Sequence, residues 1–198
     1  MLTLRAKCGA DKRPLIIWEP APPFCKRAHL EAHLRACKRV DVFSPNHLEL
    51  RAFFEEEDTS EKPFDRGVVE SYARRFLTAG MQGEAQSAII VVRAGEHGCL
   101  TVSRLTDCRW LPPYYGPNSS KIVDTTGSGN TFLGAFGMTL QTSNDIEESA
   151  IRGTIAASFA LEQVGLPKKA SAGGRDTWNG EEFASRLEEY RSRIQVQA

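Results

Sequence analysis

The stretch Ile122–Gly137, IVDTTGSGNTFLGAFG, decides the fold. A short strand runs into a polar turn with glycines at 127 and 129, and an apolar helical pattern follows. Lacking a Cβ, Gly127 and Gly129 reach backbone conformations closed to other residues and leave nothing in a ligand's way. Several main-chain amides of Gly127, Ser128, Gly129 and Asn130 can then point at one anion, at the positive end of the helix. Gly134 permits close packing one turn on. The spacing is not that of a Walker loop, G-x-x-x-x-G-K-[ST], whose lysine is missing. On these residues alone, a strand-to-helix turn with no ligand stays open as the other reading.

Outward from the turn, short apolar runs alternate with helical patterns. PLIIWE (14–19) reads as a buried strand stopped by PAPP, and CKRAHLEAHLRACKR (25–39) as a helix with Leu30 and Leu34 four apart. VDVFSPN (40–46) is a second strand, and Asn46 is placed to cap a helix over HLELRAFFEEE. RGVVESYARRFLTAG (66–80) gives a third helix ended by Gly80. SAIIVVRAG (87–95) is continuous and rich in β-branched residues, as a strand covered on both faces is. GCLTVSR and CRWLPPYY read as flanking strands of a meander. Two helices, Thr131–Leu140 and Ile146–Val164, follow the glycine turn. SAGGRDTWNG (171–180) reads as a flexible connection, and EEFASRLEEYRSRI as a final amphipathic helix. This alternation predicts an α/β domain with a mostly parallel sheet between helices.

The 198 residues suit one domain with a real core, or half of a larger α/β protein. Its 25 basic and 25 acidic residues cancel, which gives no general pull toward nucleic acid or anionic membrane. No apolar run approaches the roughly 18 residues that span a bilayer, and the N-terminus lacks a signal-peptide apolar centre. The expectation is a soluble, cytoplasmic protein. Cys8, Cys25, Cys37, Cys99 and Cys108 form no C-x-x-C pair, so reduced thiols packed as small apolar residues are expected.

DTTGSGNTFLGAF resembles the second signature of the ribokinase-like, or PfkB, carbohydrate kinases, usually D-T-x-G-A-G-D-x-F-x-G-A/G-F. VFSPNHLEL resembles the segment carrying that family's N-x-x-E motif, here Asn46 and Glu49. AIIVVRAGEHGCL resembles the strand-turn-strand usually written V-T-x-G-x-x-G. With AASFALEQVGLP, four segments in family order cover residues 14 to about 167. The resemblance implies a ribokinase-like three-layer α/β/α sandwich, present here as a single partial domain over 1–198 without the N-terminal half and lid. It implies ATP-dependent phosphorylation of a sugar or similar alcohol, with nucleotide and acceptor as partners. Arg93, Gly95, Gly98, Thr125, Gly127 and Gly129 then fall at the nucleotide, and Asn46 and Glu49 act near Mg²⁺ indirectly. Without the resemblance, Asn46 and Glu49 read as a helix cap and a surface acid. Tyr114 or Tyr115 is expected near the nucleotide, and the helix Ile151–Val164 supplies a wall.

The pattern breaks at three places. In the family the last acid of the signature takes the proton from the acceptor hydroxyl, and here Asn130 stands there. A neutral amide orients a hydroxyl but has no basicity near pH 7. Asp124, before the turn, supports the loop in the family and is not promoted to base. Arg93 replaces the usual Thr, and a cation there could contact a phosphate or could crowd the nucleotide. The half that carries most acceptor contacts is not in the sequence. The asparagine and AASFALEQVGLP together resemble a divergent eukaryotic branch of PfkB-like proteins that includes the maintenance-of-killer type. A catalytically inactive nucleotide-binding or interaction protein is therefore the alternative function.

Cys25, His29, His33 and Cys37 fall four apart, but on a helix the outer two lie about 18 Å apart, too far for one ion. They read as a helix surface. The basic residues of this segment lack aromatic interleaving, which argues against nucleic acid.

Overall fold

The computed structural model describes residues 14–55, 63–81 and 88–196. Cys8 and most of the acidic run EEEDTSEK lie outside the described residues. Two compact units are present, one running to Ile90 with Ser103–Leu105, the other made of Val91–Val102 and the chain from Thr106.

In the first unit, β1 (Ile17–Trp18) pairs in parallel with β2 (Val42–Phe43), and β2 with the start of β3 (Ile89–Arg93). Ile17 stands opposite Val42, and Phe43 opposite Ile90. Parallel neighbours require crossovers. Helix α1 (Leu30–Cys37) joins β1 to β2, and α2 (His47–Ala52) and α3 (Arg66–Ala79) join β2 to β3. An aromatic cluster forms the core: the Phe43 and Phe76 rings lie 4.8 Å apart, Phe53 and Phe76 5.2 Å, and His33 and Phe53 4.5 Å. The helix expected from Cys25 starts only at Leu30. Two 3-10 turns, Pro22–Phe24 and Arg27–His29, come first, and in the first of them the prolines fix φ and withhold N–H groups. His33 and Cys37 are buried, so this is not the plain helix surface the spacing suggested. Helix α2 stops at Ala52, short of the HLELRAFFEEE pattern.

In the second unit β4 (Cys99–Ser103, of which all but Ser103 belongs here) pairs antiparallel with β5 (Arg109–Leu111), Cys99 facing Leu111 and Thr101 facing Arg109. The meander is as expected, except that β5 ends at Leu111, where Pro112 and Pro113 have no N–H to offer a ladder. Helix α4 runs Ser128–Ser143, beginning inside the glycine turn rather than at Thr131. Helix α5 is Ile146–Ala160, one turn shorter than the expected Ile146–Val164. Asn144 sits at φ 56 and ends α4, and the Asp145 carboxylate accepts the Glu148 N–H at 2.9 Å to cap α5. Gly153 lets the pair approach, since a Cβ there would come 2.9 Å from the Phe132 ring and 3.1 Å from its carbonyl oxygen.

The expected flexible connection is ordered. Lys169–Ala172 (β6), Arg175–Trp178 (β7) and Glu181–Glu182 (β8) form a small antiparallel sheet. Ala172 faces Arg175 across Gly173–Gly174, both at positive φ (60 and 78). A two-residue turn with two such values matches the right-handed strand twist, so the glycines close a hairpin rather than loosen a linker. Helix α6 (Phe183–Val196) follows, and its fully buried Tyr190 donates to the Pro112 carbonyl at 2.6 Å.

Candidate nucleotide site

The glycine turn is held by its own side chains from below. The Asp124 carboxylate accepts the Thr126 N–H at 2.9 Å, and the Val123 N–H donates to the Leu161 carbonyl at 2.8 Å. The Thr126 main-chain bond, then its hydroxyl, hold the Asp124 carboxyl below the usual carboxylate range. This acid is a strut of the loop. Gly127 takes the left-handed conformation at φ 80 as the N-cap of α4, and no side chain caps this helix. The Ser128 N–H and hydroxyl both return to the Thr125 carbonyl, at 3.2 and 2.8 Å. That leaves the N–H groups of Gly127, Gly129 and Asn130 with no acceptor among the described residues. They are the donors a helix start leaves for an anion. Asn130 itself is exposed in the first turn.

A cavity of about 430 Å³ opens in the second unit beside this turn. Arg93, Gly95, Gly98, Thr125, Ser128 and Gly129 all line it. Tyr114 and Tyr115 border it, and Thr154, Ala157, Ser158 and Leu161 form a wall. Three of those four lie on α5 and Leu161 just past its end. Gly127 and Asn130 are not in the lining but adjoin it along the chain. The sequence reading did not name Cys99, Pro113 or Phe132, while Ser158 falls on the helix Ile151–Val164 that it expected as a wall. Thr154 and Ser158, four residues apart, carried a signal: on a helix that spacing turns both toward one side. Cys99 is no nucleophile, since burial pushes its thiol up to about 12. Burial does the same to Cys25 and Cys37, and the four described cysteines are all free thiols.

Gly98 shapes the strand-turn-strand that floors the cavity. It sits at φ 91, and a Cβ there would lie 1.9 Å from the Leu111 carbonyl oxygen, a backbone atom that cannot step aside. Gly98→Ala is therefore expected to cost at least ~2 kcal/mol in chemical denaturation. A loss under half that would mean the turn adapts.

The tyrosine wall is anchored from behind. The Tyr115 hydroxyl donates to Glu162, which also accepts from Arg186 and, at 2.6 Å, from the Asn179 side chain. Arg186 is buried, donates to the Ser158 hydroxyl at 3.0 Å and lies 3.7 Å over the Phe159 ring. Burial pushes the Glu162 carboxyl up, but the hydrogen bonds from Tyr115, Asn179 and Arg186 outweigh it and hold it low.

Asn46 and Glu49 belong to the first unit and form a reciprocal capping box. The Asn46 side-chain oxygen Oδ1 accepts the Glu49 N–H at 2.8 Å, and the Glu49 carboxylate accepts the Asn46 main-chain N–H at 2.7 Å. Glu49 is buried, so the expected surface acid is instead a packed one. Each residue spends an oxygen on the main chain, which fits a magnesium ion reached through water better than a direct cage. Among the described residues no group of three His, Cys, Asp or Glu side chains could hold a metal, and no helix is long and apolar enough to cross a membrane.

Residues 3–171 match the pfkB family carbohydrate kinase model. An uncharacterized protein of Schizosaccharomyces pombe is 33% identical over 93% of this chain and 54% of its own length. Protein MAK32 of Saccharomyces cerevisiae is 31% identical over 98% of this chain and 53% of its own. The chain thus spans about half the length of these curated relatives. The ribokinase of Cryptococcus neoformans, solved in complex with ADP, superposes with a TM-score of 0.63 at 18% identity, over 97% of this chain and 55% of that one. At that identity the likeness speaks for the fold alone.

Proposed function

Because the chain belongs to the pfkB family of carbohydrate kinases, we propose that the cavity beside the 127–130 turn binds ATP or ADP, and that the chain descends from kinases of a sugar or similar alcohol. The observation that carries this reading is the lining: Arg93, Gly95, Gly98, Thr125 and Gly129 surround one cavity. The open N–H groups of Gly127, Gly129 and Asn130 would receive the transferred phosphoryl group. Fixed donors of this kind neutralise developing charge without having to reorganise. Magnesium would supply charge neutralisation to the phosphates, and by the family's N-x-x-E motif Asn46 and Glu49 are the residues that would hold it through water.

The weak point of the chemistry is the proton. An acceptor hydroxyl must lose one during transfer, and the Asn130 amide cannot take it. The carboxylate of Asp124 is already committed to the loop. Phosphoryl transfer by this chain is accordingly slow or absent, and Asn130 favours the second reading, an inactive nucleotide-binding protein.

Calorimetry with ADP and ATP, with and without Mg²⁺, tests the binding step. Saturable binding of both is expected. No heat and no protection against thermal unfolding at millimolar nucleotide would remove the proposal. A panel of pentoses, hexoses, nucleosides and inositol with labelled ATP then separates the two readings. Measurable transfer selects the kinase, and binding without transfer selects the inactive protein.

A further inference from the structure

The cavity holds a cation where a helix start is already positive. Arg93, the last residue of β3, extends its guanidinium to the first turn of α4. The contact is close: a Cβ built on Gly129 would fall 2.2 Å from Arg93 Nη1 and 3.5 Å from Cζ. Both residues line the same cavity. An anion in the cavity between them would be met from both sides, because guanidinium and main-chain donors then converge on the same oxygens.

We propose that Arg93 and Gly129 work as one phosphate clamp: the arginine binds the phosphates of the nucleotide, and the glycine is there to admit the arginine. This rests on the nucleotide reading above and deepens it. The ligand class it selects is a nucleoside carrying two or more phosphates, in preference to the bare nucleoside. It also reassigns Gly129. The residue has an ordinary helical backbone with no positive φ, so its conformation does not demand glycine. The space it leaves is filled by a side chain of the protein itself.

The pair can be tested without unfolding the chain. The atom nearest a Cβ at 129 is the tip of a flexible side chain, so Gly129→Ala displaces the guanidinium rather than the backbone. Alanine also suits a helix better than glycine, so the melting temperature should hold or rise. ADP and adenosine affinities are measured by calorimetry for the wild type, Arg93→Ala, Gly129→Ala and the double variant. Losing a hydrogen-bonded charge of this kind is worth about ten- to a hundredfold in affinity. The expected result is that the ratio of ADP to adenosine affinity falls by about that factor in each single variant, and that the double variant is no worse than Arg93→Ala.

Other outcomes overturn the pairing. Gly129→Ala harming ADP binding equally in the Arg93→Ala background means a methyl at 129 blocks the phosphate directly. Tighter ADP binding by Arg93→Ala means the arginine plugs the site. An unchanged ratio in Arg93→Ala removes the clamp while leaving the nucleotide reading intact. A wild type that binds neither ligand removes that reading as well.

Discussion

Asn130→Asp is expected to raise phosphoryl transfer from ATP by about 10²–10⁴-fold, the usual worth of a positioned general base. The reason is local. Residue 130 lies in the first turn of α4 and is exposed, so a carboxylate there meets solvent, or a bound acceptor, rather than a packed wall. Its charge would stand at the positive end of the helix, which favours the ionised form. The substitution is close to isosteric and should leave the fold unchanged. The measurement is transfer of labelled phosphate to the acceptor panel, or to water where no acceptor works. A rise with unaltered ATP affinity identifies a nucleotide half that lacks only its base. If nucleotide binding persists and the rate does not move, a latent kinase is ruled out and the inactive reading stands.

Glu162→Ala is expected to have the largest effect on stability, about 3 kcal/mol. Removing one partner from a buried, hydrogen-bonded ion pair typically costs about 3–5 kcal/mol, since the other charge stays behind. Arg186, with a side chain only 4% exposed, keeps a contact to Glu181, which places the loss at the lower end. Tyr115 loses its acceptor at the same time, while Asn179 loses one of two and keeps the Phe159 carbonyl. Urea denaturation measures the change, and a loss below about 1 kcal/mol would show that the network contributes nothing net. The pH dependence follows from the low carboxyl of Glu162. A depressed pKa means the native state binds the proton less readily than the unfolded chain. The contribution is thus complete above the ordinary glutamate value, about 4.3, and is lost as the pH falls through the lower native value. Wild-type stability should drop over that acid range, and Glu162→Gln should show a shallower fall.

The residues of the candidate site were more legible than those that hold them in place. DTTGSGN was readable because its glycines and polar residues are local: the turn, its Asp124 brace and the start of α4 all lie within ten residues. Asn46 as a helix cap was readable for the same reason, since cap and partner are three positions apart. The burial of Glu49 was not, because burial depends on what the fold lays over it. The Gly173–Gly174 hairpin was misread as a linker. A glycine pair serves either purpose, and only the pairing of Lys169 with Trp178 decides between them. The anchor of the tyrosine wall was invisible too: Arg186 reaches Glu162 from 24 residues away and Ser158 from 28. Arg93 lay between these cases. Its charge was plain, while its closeness to Gly129 arises where the end of one strand meets the start of a helix 36 residues on.

The account stands on the open N–H groups of the 127–130 turn taking up phosphate, and amide chemical shifts read that directly. In a ¹⁵N-labelled sample titrated with ADP, the signals of Gly127, Gly129 and Asn130 should move together, saturably, with those of Gly95 and Gly98. Adenosine should move Gly95 and Gly98 while leaving the turn nearly still. Saturable ADP binding that leaves Gly127, Gly129 and Asn130 unshifted would contradict the account.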